Sequence, residues 1–162
     1  MTATRTARGA HLKRWMLNSK PPPTYVKAVG FTGNVDRWQD FEYILPGSVL
    51  QWSGAIEPGR GAKENRDQDG FHLRTYHGLT PRTENSCYYF WTVSNGYNQN
   101  DPQATQILYD EVYPTFLEDI AILEGQQARV ALEPGRQLVG IKADVALTHA
   151  RDRKSTRLNS SH

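Results

Sequence analysis

"NDPQATQILYDEVYPTFLEDIAILEGQQARV", residues 100–130, decides the fold, because here the apolar pattern changes from strand-like alternation to helical spacing. Asp101 offers an N-cap and Pro102 a first helical residue, so a long helix is expected to follow, with Pro114 as a point where it could bend. "LEPGRQ", 132–137, ends it.

Each helical residue rotates by about 100°, which places every side chain relative to Asp119. Val112, Leu123 and Val130 fall within about 40° of it, Leu108 and Gln126 flank it on the other side, and Phe116 and Ile122 lie about 60° away. Glu118 lies about 100° away and Glu124 about 140° away, so both are expected toward solvent. Asp119 is thus expected in the middle of an apolar stripe. An unpaired carboxylate there costs several kcal/mol, so a proton, a cation or a metal should meet it.

Upstream the chain reads as strands. "HLKRWML" (11–17) alternates like a strand, and "KPPPT" (20–24) reads as an extended break. "YVKAVGF" (25–31) reads as a strand, "GNVDRWQDF" (33–41) as a loop or short helix, and "SVLQWSGAIEPG" (48–59) as a strand. "RGAKENRDQDG" (60–70) is almost free of apolar anchors and reads as an exposed hairpin loop. "FHLRTYHGL" (71–79) and "SCYYFWTVSN" (86–95) read as an antiparallel hairpin. After the helix, "LVGIKADVALTHARD" (138–152) reads as a further short strand or helix pair. The expected class is α+β, a mostly antiparallel sheet with one long helix.

A chain of 162 residues buries roughly 70% of its unfolded surface, enough for one domain with a core. No apolar run approaches the roughly 20 residues of a membrane helix, so no membrane association is expected. Net charge is +2, with Lys and Arg dense at both ends, which argues against nucleic acid. The single cysteine, Cys87, excludes an internal disulfide and a cysteine-built cluster within this chain. It fits a reducing compartment, and no apolar leader follows Met1, so a cytoplasmic protein is expected. Residues 152–162, "DRKSTRLNSSH", match one reading frame of a widely used sequencing adapter and are expected to be no part of the natural domain.

Other candidate chemistry is sparse. His72 and His77 lie five apart on a strand and so point to opposite faces, which bars a shared ion. His77, at a strand end before "GLTP", either reaches into a cavity or is a satisfied strand-end histidine. Cys87 has no basic neighbour or helix start to activate it and is expected to be a buried core thiol. Tyr88, Tyr89, Phe90 and Trp91 should alternate between faces, as core or as pocket wall.

"HGLTPRTENSCYYFW" (77–91), followed by "TFLEDIAILEGQQ" (115–127), resembles the C-terminal catalytic region of Rieske-type aromatic-ring oxygenases, in the branch of vanillate O-demethylase and dicamba monooxygenase oxygenase subunits. The resemblance covers residues 5–151 and includes "PPPTYVKAVGFTGNVDRWQ" (21–39). It implies a helix-grip fold, an antiparallel sheet around a long helix, here truncated, with residues 1–151 forming part of the catalytic domain. It also implies a mononuclear Fe(II) held by two histidines and a carboxylate, the carboxylate falling on Asp119. His77 matches a position that contacts the aromatic substrate. Gln51 stands where part of the branch has a substrate-contacting Asn, a departure that leaves the substrate open.

The family's two iron-binding histidines and its Rieske [2Fe-2S] motifs lie upstream of the matched region, and His11 does not match the histidine motif. The chain is therefore expected to be a fragment cut at both ends and inactive alone. The implied parent takes NAD(P)H-derived electrons from a reductase or ferredoxin, assembles as a homotrimer, and oxygenates a small aromatic substrate by hydroxylation or O-demethylation. The alternative is a non-enzymatic helix-grip module that binds an apolar ligand.

Overall fold

The computed structural model describes residues 1–136, 139–140, 144–146 and 148–150. Six strands form a single sheet in chain order: β1 (Thr2–Arg5), β2 (Gly9–Ser19), β3 (Val35–Ile44), β4 (Ser48–Ile56), β5 (Phe71–Thr83) and β6 (Ser86–Asn95). Every neighbouring pair is antiparallel. A short helix α1 (Pro23–Val29) lies between β2 and β3, and a long helix α2 (Ala104–Leu132) follows β6. This is the expected α+β architecture. The expected tail, 152–162, lies outside the described residues, as does part of the segment 138–152; the described part of that segment includes short helical turns at 144–146 and 148–150.

Two segments take a different secondary structure from the expected one, and for identifiable reasons. Residues 25–29 are helical because Pro23 supplies a preset first-turn φ and Gly30 closes the helix in the left-handed region at φ 76°. Tyr25 is buried and Ala28 and Val29 are half-buried, which is helical spacing and not alternation. Of residues 33–41, expected as a loop or short helix, 35–41 lie in the central strand β3, whose carboxylates Asp36 and Asp40 find partners across its neighbours. Asp36 accepts backbone N–H bonds from Asn18 (2.7 Å) and Gly59 (3.0 Å). Asp40 meets His11 on β2 and Arg66 from the β4–β5 loop (2.6 Å), with Lys13 at 3.4 Å.

The sheet carries a cluster on each face. On the face covered by α1, Tyr25 stacks on Phe71 (3.8 Å between ring centroids) and Phe71 on Tyr97 (5.2 Å), over Val35 and Ala55. On the opposite face Trp38 is wholly buried between Trp15 and Trp52, with Ile56 and Ala62. The loop 60–70 is accordingly not all exposed. Ala62 packs beneath Trp38, and the Arg66 guanidinium lies 4.1 Å from the centre of the Trp52 ring, which Arg74 also approaches at 3.5 Å.

Burial alone would raise the Asp40 pKa, but hydrogen bonds from Arg66 and His11, with the charges of His11 and Lys13, outweigh it and hold the carboxyl below its usual value. A carboxylate depressed in the folded state stabilises fully above its unfolded pKa of about 3.9 and loses that contribution as pH falls through the folded value. Asp40→Asn should therefore flatten the acid limb of stability against pH in chemical denaturation. An acid limb identical to that of the parent would remove Asp40 from this role.

Helix α2 starts at Ala104, two residues later than Pro102 suggested. Asp101 still serves the turn before it, accepting from the Gln103 N–H at 2.9 Å. The helix runs through Pro114, where the missing amide leaves one backbone bond unmade. It packs on β6 and α1, with Ala104 and Leu108 buried and Val112, Phe116 and Ile120 half-buried along one line.

Candidate functional site

Pairing of β4 with β5 sets Val49 opposite His77, and pairing of β5 with β6 sets Trp91 opposite His77. With side chains alternating every second residue, Gln51, Ser53, His77, Tyr89 and Trp91 all stand on the α2 side of the sheet. His77 Nδ1 lies 2.6 Å from the Tyr89 hydroxyl, and Nε2 lies 3.3 Å from Gln51 Oε1. Gln51 Nε2 donates to Ser53 Oγ at 2.7 Å. From α2, Phe116 sets its ring edge-on to Trp91 (4.7 Å) and to His77 (5.7 Å).

His72 belongs to the other face, where it contacts Trp52 and the Gln68 carbonyl, so the two histidines are separated as expected. Tyr88 and Phe90 also face away from α2 and are exposed, while Tyr89 and Trp91 are half-buried. Alternation of the aromatic run holds. Cys87 departs from expectation: it is exposed, because it sits in the distal part of the β5–β6 hairpin, opposite Pro81, beyond the buried clusters.

Asp119 is brought toward His77 and Tyr89 but is not buried. Burial lowers the His77 pKa while the Asp119 charge pulls it back up; burial and the Asp119 charge both raise that of Tyr89. Its carboxylate therefore projects its field onto the sheet side of the helix, as the helical arithmetic requires. Its exposure has a geometric cause. The covered line on α2 runs through residues 108, 112, 116 and 120, steps of four that rotate by about 40° each, and beyond Ile120 every described residue of the helix is exposed. Ile122 and Leu123, expected on the stripe, are 69% and 60% exposed.

His77, read as either reaching into a cavity or a satisfied strand-end histidine, has both ring nitrogens engaged within the sheet. A recess of about 1050 Å³ lies elsewhere, between the 57–70 loop and residues 96–101. A second, of about 440 Å³, is lined mostly by the outer sheet face around His11, Asp40 and Arg74. Gln51 borders the second, but His77 and Asp119 line neither, so neither is the space between them. Nor do the described residues complete a metal site: they contain no group of three His, Cys, Asp or Glu side chains able to hold an ion. Both ring nitrogens of His77 are engaged by Tyr89 and Gln51, so Asp119 supplies one carboxylate and a two-histidine set does not accompany it. Iron does not fit these residues alone.

Sequence spacing does not mark Ser53, and it marks Tyr89 only as part of an aromatic run and Phe116 only as part of an apolar stripe. For Tyr89 a signal existed in the hairpin register, which places residue 89 diagonally across from residue 77 on one face.

The described helices contain none long and apolar enough to cross a membrane. The family model of the vanillate O-demethylase oxygenase C-terminal domain matches residues 1–158. A putative toluene-4-sulfonate monooxygenase iron-sulfur subunit of Comamonas testosteroni is 29% identical over 141 residues, covering 86% of this chain and 41% of the relative. The vanillate O-demethylase oxygenase subunit of a Pseudomonas species is 27% identical over 143 residues, covering 85% and 40%. This chain thus spans about two fifths of the length of these relatives. Among solved structures, dicamba monooxygenase bound to 3,6-dichlorosalicylic acid superposes with a TM-score of 0.82 at 21% identity, covering 99% of this chain and 48% of that one. The same enzyme with non-heme iron and dicamba gives 0.69, also at 21% identity, covering 99% and 49%. At that identity the likeness establishes the fold, an open antiparallel sheet with a long helix. Sequence and fold together place the chain in the vanillate O-demethylase oxygenase C-terminal domain family.

Proposed function

We propose that this chain is the substrate-facing part of the oxygenase component of a Rieske-type non-heme iron oxygenase acting on a small aromatic compound by hydroxylation or O-demethylation. The observation that supports the reading is the cluster of His77, Gln51, Tyr89 and Trp91 on one sheet face with Phe116 of α2 set against it, toward which the Asp119 charge acts from the same helix.

In this reading Asp119 is the carboxylate ligand of the mononuclear Fe(II), and its two histidine ligands and the [2Fe-2S] cluster belong to residues outside this chain. Bound iron supplies oxygen activation. The residues present bind and orient: the rings of Phe116 and Trp91 hold an aromatic substrate by edge and face contacts, and His77 with Gln51 takes its polar substituent. Two relatives are named for anionic aromatics, toluene-4-sulfonate and vanillate, which suits an N–H donor at that position. The electron supply is a reductase or ferredoxin drawing on NAD(P)H, and the assembly is a homotrimer in the cytoplasm. The match to oxygenase subunits does not favour a non-enzymatic module.

The test is the reading frame upstream of residue 1 in the genome. It should encode a C-x-H and C-x2-H pair for a cluster held by two cysteines and two histidines, then a D-x2-H-x4-H segment for the iron. An upstream frame holding neither overturns the proposal.

A further inference from the structure

We propose that Tyr89 is a positioning residue that sets the tautomer of His77, so that the ring presents Nε2–H as a donor on the α2 side of the sheet. The argument starts at Gln51. Its amide nitrogen donates to Ser53 Oγ, so the atom turned to His77 is the carbonyl Oε1, which only accepts. A neutral imidazole has one donor and one acceptor, so Nε2 carries the hydrogen and Nδ1 is bare. The Tyr89 hydroxyl, 2.6 Å from Nδ1, is then the donor. Burial favours both neutral forms, the phenol of Tyr89 and the imidazole of His77.

The result is a directed line across three strands: Tyr89 to His77, His77 to Gln51, Gln51 to Ser53. Ser53 is buried and acts in turn on the Tyr25 hydroxyl of α1, anchoring the line in the core. An amide in the middle carries no proton onward, so the line orients and does not conduct. Its links are unequal. The bonds at 2.6 and 2.7 Å are short, whereas Nε2 to Oε1 is 3.3 Å, the link that yields first. A ligand oxygen therefore displaces Gln51 from Nε2–H while Tyr89 keeps the ring in place. The consequence for ligand binding rests on the proposed substrate role of His77; the tautomer assignment does not.

Two-bond proton–nitrogen correlation spectra of the 15N-labelled full chain, taken well above the ordinary imidazole pKa of about 6.5, read the tautomer directly. We expect a pyrrole-like Nε2 and a pyridine-like Nδ1 for His77, assigned by their loss in His77→Gln. Tyr89→Phe should convert this to a mixture with Nδ1–H, with the other histidine signals unmoved, while Tyr88→Phe on the opposite face changes nothing. Should Tyr89→Phe disturb the fold, Gln51→Leu still decides, because Tyr89 alone then keeps Nδ1 bare. A wild-type ring protonated on Nδ1, or an unchanged signature in a folded Tyr89→Phe, overturns the proposal. Titration with vanillate and toluene-4-sulfonate separates the two claims. If neither moves the Nε2 signal, the ligand role of His77 falls and the tautomer assignment stands. If either moves it, Tyr89→Phe should weaken that ligand about fivefold, the worth of one hydrogen bond of about 1 kcal/mol.

Discussion

On the proposed reading of Asp119 as an iron ligand, Asp119→Asn in the full-length oxygenase should leave the [2Fe-2S] spectrum intact, lose the mononuclear iron, and cut turnover by about 100-fold or more. Asparagine keeps the shape of the side chain and removes the anionic oxygen, and a facial set of two histidines and one carboxylate tolerates that poorly. Substitutions one shell further from a metal already cost about 10–100-fold, which sets the floor for a ligand itself. Iron content and cluster absorption measured on one sample distinguish a lost ligand from a lost fold. Full turnover with stoichiometric mononuclear iron would take Asp119 out of the site. The isolated chain offers a separate readout that needs no iron. Asp119 raises the pKa of both His77 and Tyr89, so removing its charge should lower both. NMR titration that shows neither falling would mean that Asp119 does not face these residues.

Trp38→Ala should be the most damaging single change to stability, at about 3–5 kcal/mol. The indole is 0% exposed, 5.9 Å from the Trp15 ring and 5.6 Å from Trp52, and it lies directly over Gly54. A domain of this kind has only about 5–15 kcal/mol to lose. Trp38→Phe should cost less, because the indole N–H has no hydrogen-bond partner among the described residues. Gly54→Ala probes the same contact from below. Its added Cβ would sit 2.0 Å from Trp38 Cζ2, an overpacking cost of about 1–3 kcal/mol. Combined with Trp38→Ala that cost should largely vanish, since the atom it strikes is gone. Denaturant midpoints of the four proteins in this cycle give the coupling. Additive effects would place the two residues out of contact.

The elements legible in advance were those whose local pattern and tertiary environment agree. Strands β4, β5 and β6 read correctly because one face is apolar and each ends at a turn signal. Helix α1 was misread because five residues of Tyr-Val-Lys-Ala-Val fit both periods, and the deciding signals, Pro23 and Gly30, lie at its ends. Strand β3 was misread because its charges looked like a loop. They are tolerable only through partners that come from distant sequence, above all Arg66, 26 residues from Asp40.

The candidate site divides along the same line. Helical spacing alone singled out Asp119 on the sheet-facing side of α2, since rotation per residue is a property of the backbone and needs no neighbours. Strand alternation alone separated His72 from His77 and sorted the aromatic run, for the same reason. What covers a residue is decided by chain segments far away in sequence. Only the tertiary structure could show that Asp119 is exposed where α2 runs past its packing on the sheet, that Cys87 lies outside the core, and that Tyr89 and Gln51 meet the two nitrogens of His77.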